Sequence, residues 1–145
     1  MQVTGFSAAG KTTVCSALAA EARRRGEIVG YVKHHDGPLE RQDSDTDLVG
    51  RQGARLRWLA GSDGTSRLGR PQGLPELASA AKAAGCTFLL VEGFKSEPGA
   101  KCWLRRHAAD APPPEVCDVA LDMAGAEALA LGPAELMRRM PLREV

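Results

Sequence analysis

Residues 5–12 read G-F-S-A-A-G-K-T, a fit to the pattern G-x-x-x-x-G-K-[ST]. No other stretch narrows the fold so far, because this pattern works only on a turn that leaves a strand and opens a helix. Glycines let the backbone wrap an anion closely, with successive N–H groups aimed at phosphate oxygens. Gly5, Phe6, Ser7, Ala8, Ala9, Gly10, Lys11, Thr12 and Thr13 are therefore the candidate phosphate-binding residues. Lys11 places an ammonium against the outer phosphates, and the Thr12 hydroxyl is placed to hold a magnesium ion. The positive end of the following helix adds to the attraction.

The flanks suit the motif. Residues 2–4 are a short extended segment, and few apolar residues precede Gly5, so the first strand is expected to be short or its start missing. Residues 13–25 carry Val14, Leu18 and Ala22 at helical spacing, end in three arginines and are followed by Gly26. Further along, strands are expected at 28–33, 56–60, 87–91, 101–105 and 116–121, with a weaker one at 65–68. Helices are expected at 48–54, 74–84 and 134–140. The continuous apolar run 87–91 marks a strand buried on both faces. Alternation of strands and helices predicts an α/β P-loop NTPase fold, three layers (α/β/α) around a mostly parallel sheet, as a single domain over residues 1–145.

Charge and composition exclude several classes. A formal net charge of +1 gives no bulk attraction to nucleic acid or an anionic membrane. No apolar run approaches the roughly 20 residues of a membrane span, and no signal segment opens the chain, so a cytoplasmic location is expected. Cys15, Cys86, Cys102 and Cys117 form no C-x-x-C pair and read as reduced, small apolar residues.

Two more places carry candidate chemistry. In L-V-E-G-F-K, Glu92 ends the buried strand at the sheet edge where the phosphate loop also emerges. An acid there can bind magnesium, through water, or orient an attacking water. Lys33 ends the second strand on the same side. His34 and His35, adjacent in an extended segment, face opposite ways and do not suit one metal. Asp43, Asp45 and Asp47 alternate in the polar loop that follows, and such crowding favours a cation among them. Asp45 is the preferred magnesium ligand beside Thr12 and Glu92, with Asp43 its rival. Trp58 and Trp103 read as core or interface anchors.

The succession G-F-S-A-A-G-K-T-T, V-G-Y-V-K-H-H, D-S-D-T-D with Gly53-Ala54, L-L-V-E-G-F-K and A-K-C-W-L-R resembles the molybdopterin-guanine dinucleotide biosynthesis adaptor family, MobB, over about residues 1–106. The resemblance implies GTP as ligand with slow hydrolysis, Mg2+, and a homodimer. It also implies partnership with the molybdenum cofactor guanylyltransferase that joins GMP to molybdopterin. By position it implies phosphate contacts for Gly5 through Thr13. Lys33 and Glu92 would lie beside magnesium and the γ-phosphate, as catalytic residues with Lys11, and Asp45 takes the place of the family's acid. No N-K-x-D guanine-reading sequence is present, and Asp118 or Asp122 is the expected substitute.

A second class stays open: a small-molecule kinase or ATP-dependent ligase. The ligase that closes the dethiobiotin ring has a similar phosphate loop, strand-end Lys and V-E-G. Arg51, Arg55 and Arg57 would then be lid residues rather than a solvated face or dimer surface. Phe94 and Lys95 after E-G, and little room for a substrate lid, favour the accessory protein.

Overall fold

The computed structural model describes residues 1–35, 56–61, 73–116 and 118–140, with only the backbone for His35 and for 56–61. The strands are β1 (Gln2–Gly5), β2 (Val29–His35), β3 (Leu56–Gly61), β4 (Phe88–Glu92), β5 (Lys101–Arg105) and β6 (Val119–Ala124). The helices are α1 (Lys11–Arg24), α2 (Leu74–Ala83), α3 (Gly125–Leu131) and α4 (Pro133–Arg139). The strands form one sheet in the order β3-β2-β4-β1-β5-β6, and every pairing is parallel. No described helix is long and apolar enough to cross a membrane.

Alternation along the strands assigns side chains to two layers. Val3, Tyr31, Phe88, Leu90, Cys102 and Leu104 pack with Val14, Cys15, Leu18 and Ala22 of α1 and with Leu136 and Met137 of α4. Val32, Leu89 and Val91 pack the other way, against Leu77 and Ala81 of α2. The apolar run of β4 is thus the central strand expected of it, all five residues buried. Truncating fully buried Leu90 to Ala costs about 2–5 kcal/mol by this logic. Burial pushes the Cys102 thiol up to about 12 and Cys15 well above its ordinary range, so both act as apolar packing. Cys86 is also unpaired as a disulfide.

Three boundaries differ from the sequence reading. Helix α1 begins at Lys11, two residues early, because the phosphate loop turns directly into it. Strand β6 runs three residues later than expected: Val116 is used in a turn, its N–H donating to Pro113 O, and Asp118 is left-handed at φ 54°. Helix α3 was not expected at all. The helix at 48–54, the strand at 65–68, and Asp43, Asp45, Asp47, Arg51, Arg55 and Cys117 lie outside the described residues.

Candidate phosphate and magnesium site

Strand β1 delivers Gly5 to the carboxyl edge of the sheet, between β4 and β5. That position admits no side chain: φ is +144°, and a Cβ would stand 2.3 Å from Leu104 O of β5. The loop then turns through Ala8 and Gly10, both at positive φ, with Ala9 N–H on Phe6 O at 3.4 Å. Gly125, the first residue of α3, braces it from outside; a Cβ there would meet Ala9 O at 2.3 Å. Glu127 secures that junction by accepting the Ala124 N–H at 2.8 Å.

Helix α1 opens at this loop with no side-chain cap and no acid in its first turn. Its first N–H groups lack helical acceptors, and its dipole is unopposed by a local carboxylate. Ser7, Ala8 and Thr13 are exposed beside it. Lys11 lies back over the loop, its Nζ 2.6 Å from Phe6 O. This is a concave array of donors with an ammonium at its rim, the arrangement that receives a polyphosphate.

Glu92 is almost fully buried at the end of β4 and is gripped from three elements. The Thr12 hydroxyl donates to both carboxylate oxygens, at 3.0 and 3.2 Å. The Tyr31 hydroxyl, from β2, donates to Oε2. Lys33 brings Nζ to 4.0 Å from Oε1. Lys11, Thr12, Lys33 and Glu92, chosen from sequence, are therefore assembled at one edge. A hydroxyl and one carboxylate beside a phosphate cradle are an oxygen donor set that fits Mg2+, which retains several waters and shares its shell with substrate phosphates. Among the described residues no cluster of three or more His, Cys, Asp or Glu competes for a metal.

Tyr31 was missed, although it precedes Lys33 by two in a strand and so shares its face. His34 points to the other layer and stacks against Phe94, ring centroids 4.6 Å apart. Trp103 is fully buried, which makes it a core residue. Neither aspartate named for the base is placed for it. Asp118 precedes β6, at the amino end of the sheet, where its Oδ2 accepts the Gly99 N–H at 3.1 Å. Asp122 pairs through both oxygens with Arg105 of the adjacent strand.

Sheet order, loop and helix together define a protein of the P-loop α/β class. The family described as molybdopterin guanine dinucleotide synthesis protein B, MobB, matches residues 1–127. The chain belongs to that family. A molybdopterin-guanine dinucleotide biosynthesis adapter protein of Haemophilus influenzae is 30% identical over 127 residues, 84% of this chain and 71% of that protein. The fold is also that of a MobB homolog from Bacillus stearothermophilus, with a TM-score of 0.62 at 23% identity, covering 95% of each chain. Bacillus subtilis MobB gives a TM-score of 0.58 at 21% identity over 98% of each chain.

Proposed function

We propose that this chain is a cytoplasmic accessory protein of molybdopterin guanine dinucleotide synthesis that binds GTP with Mg2+ and hydrolyses it slowly. The observation that carries the reading is the contact of Thr12 with Glu92. A P-loop hydroxyl and a strand-end acid meet where the metal and terminal phosphate of a bound nucleotide belong. The family places the activity in cofactor assembly. A homodimer acting with the molybdenum cofactor guanylyltransferase and molybdopterin follows from the adapter role named for the Haemophilus influenzae relative.

The residues divide the work. Backbone N–H groups from Phe6 to Thr13 and the α1 dipole bind and orient the phosphates. Lys11 leaves the Phe6 carbonyl to neutralise the outer phosphates. Thr12 exchanges the Glu92 oxygens for the ion, which supplies charge neutralisation when bound. Glu92, held by Tyr31, keeps an oxygen directed at the metal's water shell, and Lys33 balances its charge. No described side chain besides these is positioned as a strong base, which suits slow hydrolysis.

Isothermal titration with GTP, GDP and ATP in Mg2+ tests the reading. GTP is expected to bind, and Lys11→Ala to weaken it about a hundredfold or more with an unchanged melting temperature. Equal binding of GTP by that variant would sink the assignment. A phosphorylated small molecule as product would favour the kinase or ligase alternative.

A further inference from the structure

Behind the phosphate loop, on the opposite face of the sheet, lies a second group of cations. Cys102 and Leu104 of β5 face α1, so Trp103 between them faces away. The Phe6 ring packs edge-on against Trp103, centroids 5.3 Å apart. Lys95 Nζ sits 5.7 Å and the Arg106 guanidinium carbon 5.2 Å from the same ring's centroid. Lys11, Thr12 and Glu92 belong to the α1 side, so these two cations are not part of the cradle.

Both are held in place from beneath. Arg106 gives Nε and Nη2 to the two oxygens of Asp110, at 2.6 and 2.9 Å, and this pairing holds that carboxyl well below its usual range. Asp110 is itself fixed, its carbonyl accepting the Trp103 indole N–H at 3.0 Å. Lys95 rides on a backbone clamped by two buried donors. Fully buried Lys101 gives its Nζ to Lys95 O and Glu97 O, at 2.7 and 2.6 Å. Gln2 Nε2 gives to Gly93 O and Phe94 O, at 2.9 and 2.7 Å. The Lys95 ammonium and Arg106 Nη1 donate to nothing among the described residues. Asp110 has spent both its oxygens on Arg106.

We propose that Lys95 and Arg106 form a second anion subsite, seated on Phe6, that receives the phosphate of a second ligand, a phosphate monoester. A monoester dianion matches two fixed cations, an Arg edge and a Lys point charge, with donors to spare. Phe6 links the two sites, because its carbonyl is the one Lys11 grips and its ring is the one the subsite cations cover. The proposal rests on the nucleotide reading above only in taking the cradle to be filled separately.

Phenyl phosphate titrated into protein loaded with GTPγS and Mg2+, followed by calorimetry, tests it. Binding is expected, weakened about tenfold in Lys95→Met and severalfold in Arg106→Lys, which preserves the charge facing Asp110. No binding to the loaded parent, or equal binding by both variants, would overturn it. So would a tenfold loss of GTPγS affinity in Lys95→Met with GDP affinity kept, which would make the cation a terminal-phosphate contact. Failure of GTPγS to load would count against the nucleotide reading instead. The subsite is then read in Lys11→Ala, where the cradle's own phosphate contact is removed.

Discussion

Glu92 and Glu21 are both nearly buried carboxylates on the α1 side of the molecule, and they do opposite things. Glu21, in α1, accepts from Arg24 at 2.8 Å through each oxygen and from Arg25 Nε at 2.8 Å. Those charged hydrogen bonds pull its carboxyl down to about 2. Its partners are its own helical neighbours, three and four residues away, so the cluster closes on itself. Glu92 has hydroxyls for partners and an ammonium at 4.0 Å, drawn from three different elements. A hydroxyl is easily exchanged for a metal, whereas two guanidinium groups are not. Burial of an acid is therefore a poor sign of chemistry by itself; what surrounds the acid decides.

The contrast breaks most sharply at Glu92→Gln. The amide keeps the volume and loses the charge, so hydrolysis is expected to fall about a hundredfold and its magnesium dependence to weaken, while GTP binding survives. A single-turnover assay across magnesium concentrations reads this, and an unchanged rate removes Glu92 from the site. Tyr31→Phe comes next. It deletes one donor to Glu92 and leaves the ring in the core, so hydrolysis is expected to fall about tenfold with a small change in melting temperature. Loss of stability with no kinetic effect would make Tyr31 a packing residue only.

Glu21→Gln is expected to change hydrolysis least, by about twofold at most, since its contacts end within one helical turn. Its effect is on folding and depends on pH. The folded-state value lies below the usual 4.5, so the carboxylate stabilises the fold fully above that pH and loses this contribution as pH falls through about 2. Parent and variant should differ in urea midpoint at pH 7 and converge toward pH 2. A gap that persists in acid would mean that the variant disturbs packing rather than charge.

Much of the site was legible because its parts are local. The phosphate loop needs contiguous residues with particular backbone freedom, and Gly5, Gly10, Lys11 and Thr12 announce it directly. Glu92 and Lys33 were found by a rule about strand ends, not by any knowledge of each other. Helix α3 was illegible: it is seven residues long, starts with Gly125 and has Ala124 at its cap position. Its place depends on packing against Ala9 and α4, which no local pattern records. The shift of β6 has the same origin, since pairing with β5 sets its register, with Leu121 opposite Cys102.

The chain's own order of residues was enough to specify an anion-binding turn and the alternation of strands and helices, because backbone sterics and side-chain periodicity act over a few residues. It did not reveal that Tyr31 would meet Glu92 across 61 positions, or Thr12 across 80. Those meetings arise from β4 lying between β2 and β1, and from which face each side chain takes. Strand order is selected by the packing of both faces at once, so the surroundings that make Glu92 exchangeable and Glu21 fixed exist only in the folded molecule.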